Sequence, residues 1–319
     1  ATVPSTPTGS ETEMRVAREV LPGVTITPRV IEAGAGKVEF DLSAGDGPVV
    51  LASHGGAGGV DQGRLLLGWL DPGQYRLLSV SRPGYLGTPL ASGRSIEAQA
   101  DLFAALLDAL GVERAAVVAF SGGGPPGYLF AARHPDRISA LVAIDSVSGS
   151  HDAPETAGPI AQAIFMSRWG QTLMEVIGQR KPAWLLQSLL QSTAHYTKRQ
   201  VQAHIAFTLG SPQALAFARA FLATLHPYRP RQAGTGNDAA LYRQLTHLPV
   251  EQVRCPAMIV HGTHDADVKF HHGVYAHEQI PGAERCWIEE GSHLGFWLSP
   301  RAAQAQATTR AFLDRHRPW

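Results

Sequence analysis

The sequence predicts an α/β fold, a mostly parallel sheet flanked by helices and carrying a helical insertion. Two observations lead there. Short β-branched and apolar runs alternate with segments of helical spacing, and that order implies right-handed crossovers between parallel neighbours. The alternation is suspended over residues 148–245, where helical spacing recurs without a convincing buried-strand run. The expected organisation is a polar N-terminal extension over 1–23, a sheet domain over 24–147 and 246–319, and a helical cap over 148–245.

The elements follow in chain order. Residues 24–30 and 37–42 are β-rich. A buried strand over 48–53 runs into His54, Gly55, Gly56, Ala57, Gly58 and Gly59, and another over 75–80 ends at Ser81, Arg82, Pro83, Gly84 and Tyr85. Helical spacing over 95–110 stops at Gly111, a C-cap signal. A strand over 115–120 meets Ser121, Gly122, Gly123 and Gly124 at once, helix continues over 128–133, and a strand occupies 138–144. Within the insertion, helices are expected over 159–168, 172–178, 183–192, 198–209 and 213–225. Pro227, Pro230, Gly234 and Gly236 read as a loop returning to the sheet. Strand 257–261, a helix near 274–280, strand 286–290 and a helix over 301–314 complete the alternation.

Composition narrows the function classes. The 319 residues are 44% hydrophobic and 17% charged, a globular profile, and 27 Lys and Arg balance 27 Asp and Glu. With no basic field there is nothing to attract nucleic acid or an anionic membrane, so a small, nearly neutral molecule is the expected partner. No apolar run reaches 18 residues, so no membrane span is expected. Cys255 and Cys286 make no disulfide framework and read as free buried thiols. The N-terminus has no signal-peptide pattern, and a chain starting at Ala1 leaves cytoplasmic residence and export after signal removal both open. Oligomeric state is likewise open.

The chemistry concentrates at strand ends. Ser121 lies between a β-branched strand and a helix, the setting in which a serine Oγ projects from a strained turn as a nucleophile. Such a turn needs small residues two before and two after, and Ala119 and Gly123 meet the demand, although Gly is usual at both. The following helix offers the Gly122 N–H and a positive dipole end to an oxyanion, and Pro125 and Pro126 fall in its first turn, where a missing N–H matters least. The loop from His54 to Gly59 can supply a second donor, the N–H of Gly56 or, less favourably, Ala57, with His54 bonding the loop.

Fourteen histidines compete for the role of base. His293 follows the strand over 286–290 through Gly291 and Ser292, which places it at the sheet edge where Ser121 sits. For the orienting acid, Asp265 comes first, Asp267 second and Asp145 third, each just past a strand. His261, His264, His271 and His272 with the two later aspartates also invite a metal reading, but no H-E-x-x-H occurs and strand residues alternate faces, so no metal is assigned. Phe165, Met166, Trp169, Trp184, Tyr196, Phe207, Phe217, Phe221, His226 and Tyr228 supply the insertion with core and an apolar underside.

Together, His54-Gly55-Gly56, Arg82-Pro83-Gly84-Tyr85, Ser121 through Pro125, Gly262-Thr263-His264-Asp265 and Gly291-Ser292-His293 resemble the α/β-hydrolase superfamily in order and spacing. The resemblance covers about residues 24–147 and 246–319 and implies an eight-stranded, mostly parallel sheet, with the insertion similar to the cap of lidded members. It implies catalysis without metal or organic cofactor. The balanced charge and the aromatic-rich insertion favour an acyl-enzyme formed on Ser121 from a small or medium, mostly apolar ester or lactone. Ser at 121 speaks against the members that use an aspartate nucleophile. Amidase, aminopeptidase, C–C hydrolase and perhydrolase chemistry use the same three groups, with Arg168, Glu175 and Arg180 as charged cap residues toward such substrates. A ligand-binding protein on the same scaffold is the remaining alternative.

Overall fold

The computed structural model describes residues 13–34, 36–151 and 180–317. Among them the main sheet has nine strands in the order β1-β4-β5-β7-β6-β8-β9-β10-β11. These are β1 (Glu13–Met14), β4 (Arg29–Ala33), β5 (Gly36–Leu42), β6 (Val49–Ser53), β7 (Arg76–Val80), β8 (Ala115–Phe120), β9 (Ile138–Ile144), β10 (Ala257–Gly262) and β11 (Glu284–Ile288), while β2 (Arg18–Leu21) and β3 (Val24–Ile26) form a separate antiparallel pair. Neighbours from β7 through β11 pair in parallel; β1, β4 and β5 add antiparallel.

The sheet thus has one strand more than the eight expected, the two-residue β1 at its edge. Strands also begin inside the segment read as a polar tail: β1 and β2 lie before residue 24, because edge pairing uses the backbone and tolerates polar side chains there. The run over 24–30 splits at Thr27 and Pro28 into β3 and β4.

The central parallel strands β6, β8, β9 and β10 are buried on both faces, as their near-continuous apolar runs require. Alternate residues feed two cores. Leu51, Val117, Leu141 and Ile259 face the helices Ile96–Ala109, Gly124–Arg133 and His271–Gln279. Val50, Val118, Val142 and Val260 face Val60–Leu66, Ala302–Arg315 and the insertion helices. Those insertion helices are Pro182–Thr193, Lys198–Gly210 and Pro212–Ala223, close to expectation. The helices expected over 159–168 and 172–178 lie outside the described residues, with Phe165, Met166, Arg168, Trp169 and Glu175.

One reading of the insertion needs correction. The stretch containing Gly234 and Gly236 is not a loop: a 3-10 turn over Arg229–Arg231 leads into the helix Gln232–Arg243. Gly234 is where that helix touches the Arg82–Tyr85 turn, and a Cβ there would lie 2.3 Å from the Tyr85 ring. The glycine is a contact requirement rather than a breaker. Among the described residues no single helix is long and apolar enough to cross a membrane. Cys255 and Cys286 are free and half-buried; Cys286 lies opposite Val260 in the β11–β10 register, while Cys255 precedes β10.

Candidate active site

Because β8, β10 and β11 run parallel, their C-terminal ends open at one edge, where ligands of such sheets bind. β8 ends at Phe120, and Ser121 turns the chain with φ of 54°. A side chain in this left-handed region is strained and persists only where its surroundings over-determine it. Gly123 supplies the close approach: a Cβ there would lie 2.2 Å from the Ser53 carbonyl oxygen. Ser53 Oγ donates to the Gly123 carbonyl at 2.8 Å, tying the turn to β6. Ala119 fits in place of the usual glycine because Gly127 makes room; a Cβ at 127 would come within 2.8 Å of the Ala119 methyl. Pro125 and Pro126 occupy the first turn of the helix Gly124–Arg133, and a 3-10 turn over Ser121–Gly123 precedes it.

The structure brings Ser121, His293 and Asp265 together. His293 Nε2 is 2.9 Å from Ser121 Oγ, and His293 Nδ1 is 2.7 Å from Asp265 Oδ2. With Nδ1–H donating to the carboxylate, Nε2 is left to accept the serine proton. Asp265 Oδ1 accepts the N–H groups of Asp267 (2.8 Å) and Val268 (3.0 Å), which fixes the second oxygen on the imidazole. Burial lowers the basicity of His293, but Asp265 and then Asp267 outweigh it and raise the imidazole above its ordinary value of 6.5. Asp267 does not reach Nδ1; its half-exposed carboxylate lies 3.5 Å from Nε2.

Asp145 directly follows β9 and does not bond His293. Its Oδ1 accepts the Gly262 N–H at 2.7 Å, and burial followed by the nearby Asp265 charge pushes its carboxyl well above the usual range. His261 sits between the two acids, 3.6 Å from Asp265 Oδ2 and 3.9 Å from Asp145 Oδ1, and donates from Nε2 to Val268 O. Burial lowers it to about 4, so it is neutral. Asp145, His261 and Asp265 are the one set of metal-capable donors gathered among the described residues; each makes one or more of these bonds, while Asp145 Oδ2 and His261 Nδ1 have no hydrogen-bond partner. His264, His271 and His272 stand apart from them.

Gly56 and Gly122 lie close together: Gly56 N is 3.5 Å from where a Cβ on Gly122 would sit. Ala57 is a different case, because its N–H donates to Thr235 Oγ1 at 3.2 Å. His54 is buried and bonds the loop, through Nδ1 to Gly55 O and through Nε2 from the Arg82 N–H.

An aromatic wall flanks the imidazole. Phe120 lies 4.9 Å from His293 and packs edge-on against Trp297 and Phe221, and Phe217 stacks on Trp297 at 5.2 Å. Phe217 and Phe221 come from the insertion; Trp184 is exposed, and so is Arg180. A surface groove of about 520 Å³ between Arg15, Arg18, Glu39 and Pro230 touches none of these residues.

Several residues at the site carried no assigned role in the sequence. Arg82 stood in a quoted motif; Thr235, Asp238 and Tyr242 had no local signal, since their partners lie more than a hundred residues away.

Residues 48–300 match the model of the alpha/beta hydrolase fold family. The chain is 23% identical over 283 residues to the uncharacterized hydrolase YcgS of Bacillus subtilis, across 88% of this chain and 95% of that one. It is 26% identical over 228 residues to a pimeloyl-acyl-carrier-protein methyl ester esterase of Neisseria meningitidis, across 70% and 78%. An alpha/beta hydrolase fold protein from Nakamurella multipartita superposes with a TM-score of 0.85 at 33% identity, covering 90% of this chain and 98% of that one.

Proposed function

Since the chain belongs to the alpha/beta hydrolase fold family, we propose that it is a serine hydrolase cleaving a small or medium, mostly apolar carboxylic ester or lactone. The observation that carries the reading is the continuous hydrogen-bonded chain from Ser121 Oγ through His293 to Asp265. In this reading His293 Nε2 takes the hydroxyl proton as Ser121 Oγ attacks the acyl carbon. The tetrahedral oxyanion is held by the N–H groups of Gly56 and Gly122, a kind of donor worth about 3 kcal/mol each. His293 then passes the proton to the departing alcohol. Water attacks the acyl-enzyme by the same route and restores Ser121. Asp265 keeps the imidazole in the working tautomer and stabilises its cation.

Two further observations support the choice of substrate. The wall of Phe120, Phe221 and Trp297 beside His293 favours apolar groups, and an esterase is among the relatives. The cap is read as the element that closes this edge. Labelling with a fluorophosphonate, followed by intact mass and peptide mapping, tests the reading. One adduct at Ser121, absent in Ser121→Ala, with turnover of acetyl or butyryl esters in the wild type alone, is the expected result. No adduct, or one on a different serine, would overturn it.

A further inference from the structure

We propose that the helix Gln232–Arg243 is a positioning strut for the oxyanion hole, acting through Thr235, Tyr242 and the Asp238–Arg82 ion pair. The proposal rests on the serine-hydrolase reading above. Residues 235, 238 and 242 are spaced by three and four, so they share one helix face. Each aims a polar atom at one of the two turns that carry the donors, or at the residue gripping it.

Arg82 is fully buried and pairs with Asp238 Oδ2 at 2.7 Å. Its guanidinium also donates to His54 O (3.0 Å), Gly55 O (3.3 Å) and Gln99 Oε1 (3.1 Å). Gly55 C=O and Gly56 N–H belong to one planar trans peptide and point in opposite directions. Holding the carbonyl on Arg82 therefore fixes the N–H pointing away from the guanidinium. Thr235 Oγ1 occupies the next N–H, that of Ala57, and fixes the following peptide. Across the site, the Val147 N–H donates to Ser121 O at 3.1 Å, which aims the Gly122 N–H by the same planarity, and the Tyr242 hydroxyl donates to Gly122 O at 2.5 Å, which fixes the peptide that follows. One helix thus grips both turns. The grip is close, because Gly234 N donates to Gly84 O at 2.9 Å and Asp238 also accepts from the Tyr85 hydroxyl at 2.7 Å.

An oxyanion donor matters more in the transition state than in the ground state, so loosening its support lowers kcat and leaves KM. The test uses the full chain, p-nitrophenyl butyrate as substrate, and kcat referred to the serines titrated by fluorophosphonate, which excludes misfolded molecules. Thr235→Val and Tyr242→Phe are expected to lower kcat per titrated serine by about tenfold with KM within about twofold, and Thr235→Ser to restore it. Asn237→Ala is the control: on the same helix it donates to Arg94 O instead, and kcat should stay within about twofold. Unchanged kcat in both test variants, or an equal fall in the control, overturns the strut. A wild-type chain that takes no label overturns the parent reading and this one together; labelled wild type with unaffected variants overturns the strut alone.

Discussion

The two halves of the site are held by different means. Around His293 and Asp265 the supports are mostly main-chain. The His264 N–H donates to Gly291 O at 2.9 Å, and Thr193 O accepts from both His293 N (3.0 Å) and Ala266 N (3.2 Å). Gly262 and Gly291 lie so close that a Cβ on Gly262 would sit 2.5 Å from the Gly291 oxygen. Around Gly56 the supports are side chains, several of them charged and buried. Gln62 accepts the Gly55 N–H at 3.0 Å, and Arg82 and Arg231 hold the carbonyls of residues 54, 55 and 58. Arg231 in turn pairs with Asp61 through two bonds of 3.1 and 2.7 Å. A lattice of backbone bonds survives most single substitutions, whereas a lattice of side chains can be dismantled one residue at a time. Substitution should therefore separate the halves: the proton-handling half loses chemistry without losing fold, and the oxyanion half loses both.

The largest expected effect is on chemistry. In Asp265→Asn the amide keeps its oxygen on the N–H groups of 267 and 268 and turns its NH2 toward His293 Nδ1. That forces the wrong tautomer, and kcat should fall by about 10⁴-fold with the melting temperature nearly unmoved. Ester turnover and a thermal melt on the same sample check it, and a large drop in melting temperature would break the contrast.

Next comes stability on the other half. Arg231→Met leaves Asp61 buried, with only the half-exposed Arg18 at 3.3 Å to answer its charge. Removing one partner of a buried pair should cost about 3 kcal/mol, and adding Asp61→Leu should recover most of it. Urea unfolding of the single and double variants measures both; no recovery would mean that packing, not charge, is lost.

The smallest effect sharpens the first half. In the proposed mechanism neutral imidazole is the working form, so activity should be lost as pH falls through the raised value of His293. The acidic limb of kcat/KM should therefore lie above 6.5. Asp267→Asn removes one carboxylate that raises it, and the limb should move down by about half a unit. A limb that stays put would remove Asp267 from the field acting on the base.

The same contrast decides what could be read from sequence. Ser121, Asp265 and His293 stand at the ends of runs with strand periodicity, and chain order alone brings such ends to one edge. The fold was legible for that reason, as were the boundaries of most elements. Asp238 was not, because its partner Arg82 is distant in sequence and its own helix contains Gly234 and Gly236, which locally signal a turn. Tertiary contact with Tyr85 overrides that signal. Strands β1 and β2 were missed for a related cause: they are two and four residues long with half of their residues charged, and only pairing with neighbours defines them.

Behind the serine turn, strand and helix share room for a single methyl group, which this chain spends at Ala119 and withholds at Gly127. The opposite allocation, Gly at 119 and Ala at 127, fills the same volume. These two positions are thus sterically coupled, and a change at either is accommodated to the degree that the other compensates.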